Sequence, residues 1–253
     1  MNSAGLDVSI LLPAFTAGLI VAATHVPLGM QVLARGIVFI DLAVAQVAGV
    51  GVILAHSLAD EPVAWAVQGA ALATALAGAL LLTWTEKRWP EVQEATIGTV
   101  FVLAASAGIL LLAGNPHGAE HLKDLLVGQI LWVTPAELAV PATVTAAILG
   151  AWFALGERLK HVGFYCLFAL SVTISVQLVG VYLVFANLIV PALATRNFRR
   201  NRLIAAYTVG AIGYASGLAV SAFLDLPSGA VIVWAMALLG VACYAGGQVN
   251  RTG

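Results

Sequence analysis

The chain has 253 residues, 61% of them hydrophobic and only 9% charged, with a formal net charge of −1. A soluble domain carries roughly 25% charged residues, so this chain has too few to cover a water-facing surface. The same figures exclude a disordered chain and a nucleic-acid binder, which needs a basic excess. What remains is a polytopic membrane protein.

In chain order, the runs free of Asp, Glu, Lys and Arg are Val8–Ala34, Leu42–Ala59, Pro62–Thr85, Ala95–Ala119, Leu138–Gly156, Val162–Thr195, Leu203–Leu224 and Leu226–Asn250. Each reads as helix, because a backbone in lipid must satisfy its own hydrogen bonds, and the alternation of a closed barrel is absent. The first run lacks a basic segment before it and is expected to be a retained span, not a cleaved leader. Cys166 and Cys243 both fall inside apolar runs, whereas a disulfide framework would place them in loops.

Val162–Thr195 is the exception in length. Its 34 residues would make about 51 Å of helix at ~1.5 Å per residue, too long for a hydrocarbon core ~30 Å thick. Positive charge decides the path, because cytoplasmic loops collect Lys and Arg. If the run turns back near Gly180, then Arg35, Lys87–Arg88, Arg158/Lys160, the Arg196–Arg202 cluster and Arg251 all fall on one side. Lys123 alone faces the other. The expected architecture is therefore an all-α polytopic membrane protein of about nine transmembrane helices in a single domain over residues 1–253. Its N-terminus is outside and its C-terminus cytoplasmic. The sixth and seventh spans are both expected to be short, with Pro191 bending the latter.

This topology puts Asp7, Asp60, Glu61, Glu120, Asp124, Glu137 and Asp225 outside, with His117 and His121. Helix packing is expected where small residues recur at spacings of four: Ala43–Val47–Gly51, Gly69–Ala73–Ala77 and Gly210–Tyr214–Leu218. Between the fourth and fifth spans, Leu122, Leu125, Leu126, Ile130 and Leu131 fall at helical spacing. The segment Ala119–Val133 should lie in the interface or re-enter among the spans, with Trp132 as an anchor.

Metal-handling groups come next. His117-Gly-Ala-Glu120-His121 has the spacing of an inverted zinc-peptidase motif, but Asn115-Pro116 and Gly118 favour a turn. External metal capture and an ordinary polar loop are the remaining readings. His25 lies within the first span beside Pro27. It is either a functional intramembrane group or a neutral ring bonded to a carbonyl freed by the proline. His56, Asp60 and Glu61 lie close enough in sequence to share a divalent cation, or His56 simply reaches the interface. Asp41 opens the second span, where a carboxylate caps and suits the positive helix end. Gln46, Gln177 and Asn187 are polar groups inside spans, and each needs a partner. The chain has no glycine loop ending in Gly-Lys-Ser/Thr, so it has no ATP site of that kind.

Several segments resemble the permeases of ABC importers for zinc, manganese and iron(II). They are Arg35-Gly-Ile-Val-Phe-Ile-Asp41 with Gln46-Val-Ala-Gly49, Trp84-Thr-Glu-Lys-Arg88, Thr96-Ile-Gly98, Asp124 to Leu131 with Thr134-Pro-Ala-Glu-Leu138, Gln177-Leu-Val-Gly180, Ile189 to Arg196, and Asp225-Leu-Pro227-Ser-Gly229. Order and spacing agree over most of residues 10–245.

The resemblance implies a type II importer permease bundle in a bacterial inner membrane. It would be a transport subunit without its own ATPase site, paired with a second permease copy. Cytoplasmic ATPase subunits and a periplasmic metal-binding protein would complete the system. The transported ion, zinc or manganese, is cargo and not a resident cofactor. The candidate metal residues are then His25, Asp41, Gln46, His56, Asp60, Glu61, His117 and His121. The sequence departs from the family in two places. The family's Gly-Asp-Ala-Leu-x-His pattern keeps its acid in Asp41 but lacks the histidine, and Gln46 lies one position off. An amide is a poorer zinc ligand than imidazole. The family's long cytoplasmic segment between the fifth and sixth spans is reduced to Gly156–His161, so Glu157, Arg158, Leu159, Lys160 and His161 become the expected ATPase-coupling residues. Two other readings stay open: a secondary carrier, which wants intramembrane acids beyond Asp41, and a non-transporting scaffold or sensor.

Overall fold

In the computed structural model, residues 8–58, 62–113, 123, 125–155, 161–198 and 200–252 are described. Among them are nine long helices and no strand: α1 Val8–Arg35, α2 Ile40–Leu58, α3 Ala64–Arg88, α4 Gln93–Leu112, α5 Ala139–Leu155, α6 His161–Val179, α7 Val181–Ala194, α8 Arg202–Leu224 and α9 Ser228–Thr252. Seven candidate spans are long and apolar enough to cross a membrane, while α5 and α7 are shorter apolar helices.

The long apolar run breaks where the charge argument requires, but unevenly. α6 stops at Val179 and α7 starts at Val181, with Gly180 between them at φ 82° and ψ 162°. The sequence leads one to expect two short halves. Instead α6 has 19 residues and α7 has 14, because the glycine lies beyond the middle of the run. Pro191 sits inside α7, three residues before its end.

Side-chain contacts fix the direction of each helix. α1 and α8 run antiparallel, since Tyr207 Oη donates to the Ala23 carbonyl at 2.8 Å and the Tyr214 ring packs on Gly18. Gly213 meets Met236 and Gly217 meets Ile232, so α8 and α9 are antiparallel as well. At one end Gly128, Gly180, Gly229 and Val127 adjoin. At the other, the Arg35 guanidinium stands 4.1 Å over the Phe164 ring, Glu94 accepts the Phe39 N–H, and Arg196 bonds Tyr244. α6 and α7 therefore form a hairpin, and Arg35, Arg196 and Arg202 share an end.

α1, α2 and α7 form the interior. Ala14, Ala17, Val21, Val32, Ile40, Ala43, Leu183 and Leu188 are all buried there, beside Tyr165, Phe168 and Tyr214. α4 and α5 show apolar side chains outward, including Leu103, Leu110, Val140 and Phe153. Lipid tails are as apolar as these side chains, so helix association rests on close packing and not on escape from water. Gly51 supplies one such approach, its missing Cβ leaving room for Thr74 and the Ala70 carbonyl of α3. Gly69 does not behave as its spacing suggested: nothing lies against it, and it lines a groove.

The described part of the α4–α5 connection from Leu125 onward packs into the bundle. Leu125–Val127 are helical, Gly128 takes φ 70°, and a 3-10 turn covers Ile130–Trp132. Ile130 is buried while Trp132 is 80% exposed, so the segment dips into the bundle and leaves its indole outside. Thr134 and Glu137 then close the turn that precedes α5. The Thr134 amide and hydroxyl donate to Glu137 Oε2 at 2.8 and 2.9 Å, holding that carboxyl below its ordinary pKa.

Candidate functional site

A groove of about 820 Å³ lies between α3, α5, α6 and the Gln129–Val133 segment. Its polar lining consists of Gln68, Gln129, Glu137, Thr173 and Gln177. Two of these are α6 residues one turn apart, so helical periodicity aims both at the same space. Gln68 Nε2 donates to Gln177 Oε1 across the groove. Gln177 Nε2 and the buried Thr173 Oγ1 have no partner. Unpaired polar atoms in a protein interior cost ~1–3 kcal/mol each, so a groove that keeps them offers ready hydrogen-bonding capacity to a polar occupant. Of this set, the sequence marks Gln177 as a polar group inside a span and Glu137 as an external acid. Gln68, Gln129 and Thr173 carried no signal beyond being uncharged polar residues in apolar runs.

A second constellation gathers at the start of α2. Asp41 is 1% exposed; its Oδ1 accepts the Leu42 N–H at 2.8 Å and its Oδ2 has no partner. The capping role expected of an acid at a helix start thus occupies one oxygen only. Glu94, at the start of α4, accepts the Phe39 N–H at 3.3 Å and also keeps an unpaired buried oxygen. Two carboxyls therefore flank the turn between α1 and α2. In sequence, Glu94 carries no signal beyond that of an acid in the first turn of a helix. Gln46, five residues further along α2, borders a water-sized cavity of about 10 Å³ with Ala45, Gly49, Gly108 and Leu125.

His25 is wholly buried in α1. Its Nδ1 faces the Val21 carbonyl at 3.0 Å and Thr24 Oγ1 at 3.2 Å, and Ser171 of α6 donates to the same Thr24 hydroxyl at 2.8 Å. The carbonyl deprived of its donor by Pro27 is that of Ala23, four residues back. Tyr207 satisfies it. His25 is thus held by a different carbonyl from the one the proline frees. An Nδ1–H donated to Val21 would leave Nε2 as a buried acceptor without a partner. Asn187 on α7 is also fully buried with both amide atoms unpaired, and its Oδ1 lies beside Gly210 of α8, as does the Ala22 methyl.

His56 is exposed at the other end of α2, its Nδ1 2.9 Å from the Val52 carbonyl. Asp60, Glu61, His117, His121 and the coupling residues Glu157, Arg158, Leu159 and Lys160 lie outside the described residues, as does the side chain of His161, whose backbone opens α6. Among the described residues no three His, Cys, Asp or Glu side chains converge to hold a metal ion. His25, Asp41 and His56 belong to separate neighbourhoods.

The bundle is similar to that of PsaBC from Streptococcus pneumoniae, solved in complex with a Fab. The TM-score is 0.73 at 21% identity, over 93% of this chain and 90% of that one. In sequence it is 26% identical to the manganese transport system membrane protein MntC of Halalkalibacterium halodurans, covering 90% of this chain and 84% of the relative. It is 23% identical to the high-affinity zinc uptake system membrane protein ZnuB of Haemophilus influenzae, covering 91% and 95%. The model of the ABC 3 transport family matches residues 7–161 and 153–246. Because that match spans nearly its whole length, the chain belongs to the ABC 3 transport family.

Proposed function

We propose that this chain is the membrane-spanning permease subunit of an ABC importer for a divalent transition metal, zinc or manganese. In this reading, the ion arrives from a periplasmic binding protein and leaves into the cytoplasm. The work comes from ATP hydrolysis on separate cytoplasmic subunits, and a second copy of the permease completes the path. The observation that carries the reading is the groove of Gln68, Gln129, Glu137, Thr173 and Gln177. A divalent cation cannot cross hydrocarbon, so it needs polar groups that replace its water. Neutral amides and a hydroxyl do this weakly enough to let the ion leave again. The relatives that transport manganese and zinc favour the metal cargo.

Mechanistically, a groove open along one side of a single chain becomes a conduit when two chains face each other. Asp41 and Glu94 stand at the basic end, where the ion would depart. Their unpaired oxygens attract a cation without enclosing it. ATP-driven movement would enter through the α5–α6 connection at that same end. The test is uptake of radioactive zinc or manganese by proteoliposomes holding the permease with its ATPase and binding protein. ATP-dependent accumulation is expected, and its absence for both metals with intact ATPase binding would overturn the reading.

A further inference from the structure

Between the end of α7 and the middle of α9 lies a second groove, of about 350 Å³, lined by Val190, Leu193, Ala194, Ala237, Gly240 and Val241 and closed at one end by Arg196 and Tyr244. It is almost wholly apolar along its length and cationic only at its mouth. Gly240 forms its floor, where α9 approaches α7 so closely that a Cβ would run into Val190. Leu193 and Val241 are exposed at 41% and 69%, so the groove is continuous with the outward apolar surface of the bundle. Arg196 is exposed, and its guanidinium is held in place. It donates to Tyr244 Oη at 3.0 Å and lies 5.0 Å from the centre of that ring. A guanidinium has five N–H donors, and this geometry engages one of them in a hydrogen bond, leaving most of the fork for an anion.

The surroundings favour a negative ligand further. No Asp or Glu occurs between Glu157 and Asp225, a stretch that carries Arg196, Arg199, Arg200 and Arg202. Arg202 turns back onto the Ala192 carbonyl at 3.3 Å, so a second cation sits at the same end of α7. An apolar trough running along the membrane-spanning helices and ending at a fixed guanidinium has the shape and charge order of one lipid: chain first, then phosphate. We infer that this groove is a binding site for an anionic phospholipid, whose acyl chain lies along Leu193 and Val241 and whose phosphate meets Arg196. Basic pockets between spans bind anionic headgroups in just this manner of charge pairing. The inference needs only the membrane-spanning fold and is independent of the transported ion.

The experiment uses the full-length protein purified in detergent, with phosphatidylglycerol or phosphatidylcholine added back. Thermal unfolding and lipid retention in native mass spectrometry are the readouts. Phosphatidylglycerol is expected to raise the unfolding temperature and to remain bound, whereas phosphatidylcholine does neither. Arg196→Gln should weaken retention about fivefold and lower the lipid-free unfolding temperature only slightly, since it loses one exposed hydrogen bond and ring contact to Tyr244. Leu193→Gln, which disturbs the trough but not the charge, should also weaken retention. Arg88→Gln at a distant basic position should leave it intact. Equal stabilisation by phosphatidylcholine, full phosphatidylglycerol retention by Arg196→Gln, or an equal effect of inorganic phosphate would each overturn the assignment. So would protection of the groove by the ATPase subunits with no lipid effect.

Discussion

Gly128 and Gly180 meet backbone to backbone. Gly128 follows the helical stretch Leu125–Val127 at φ 70° and Gly180 joins α6 to α7 at φ 82°, and a Cβ on either would overlap the main chain at the other. The reversal of the longest apolar run thus needs two glycines, one to turn and one to make room. Gly180 at ψ 162° occupies a region open essentially to glycine alone. Gly180→Ala is therefore expected to cost about 1–3 kcal/mol from backbone strain alone, with the overlap added. A lowered unfolding temperature in detergent checks this, and an unchanged one would mean that the hairpin tolerates a different turn.

How much of this was legible beforehand follows from what kind of force fixed each feature. The turn at Gly180 was readable because lipid and the charge gradient act on the whole chain, and Arg158 and Arg196 could share a side only if the run doubled back. The groove was not readable, because Gln68 and Gln177 are 109 residues apart and nothing local marks them as partners. Gly69 illustrates the same limit from the other direction. Its small-residue spacing signals a close contact, yet it faces empty space. Ser171 joins Thr24 beside His25, and Tyr207 reaches the Ala23 carbonyl, through contacts that only the helix arrangement creates. Sequence pattern reports what faces away from water, and not which buried polar groups find one another.

The positioning of the cations makes a labelling prediction. With Cys166 and Cys243 replaced, single cysteines at 88, 158 and 200 should react with a membrane-impermeant reagent only from the cytoplasmic side. A cysteine at 123 should react from outside. Reaction of 158 and 200 from opposite sides would break the α6–α7 hairpin reading, whereas inversion of all four would preserve the hairpin and reverse the orientation.

Glu157 to His161 should matter to coupling alone. Replacing the five residues with a Gly/Ser linker of equal length is expected to abolish ATP-dependent uptake while leaving metal binding by the partner protein intact. Co-purification of the ATPase distinguishes lost docking from lost transmission. ATP-dependent uptake at the unmodified rate would remove this segment from the coupling path.

Within the groove, Gln177→Leu removes both an acceptor used by Gln68 and an amide nitrogen that has no partner. If those groups stand in for the ion's water only during passage, the loss falls on transport and not on folding. A hydrogen bond of ~1.4 kcal/mol made in the rate-limiting state corresponds to about a tenfold rate. Uptake should drop by about that factor at unchanged unfolding temperature, and Gln177→Asn should recover part of it. A variant that unfolds earlier but transports normally once reconstituted would make Gln177 an element of packing.

The pair formed by Tyr207 and Pro27 is open to a double-mutant cycle. Pro27 deprives the Ala23 carbonyl of its helical donor, and Tyr207 Oη supplies a replacement from α8 at 2.8 Å. Tyr207→Phe alone leaves that carbonyl unpaired in an apolar setting, at an expected cost of ~1–3 kcal/mol. Pro27→Ala restores an N–H four residues along. In that background the phenol is redundant, and Tyr207→Phe should cost close to nothing. The two changes are thus expected to be non-additive, with a coupling comparable to the single Tyr207→Phe loss. Additive losses in unfolding temperature would show that Tyr207 acts through its ring packing in the Ala22–Val26–Ala206 cluster, and not through the carbonyl that the proline sets free.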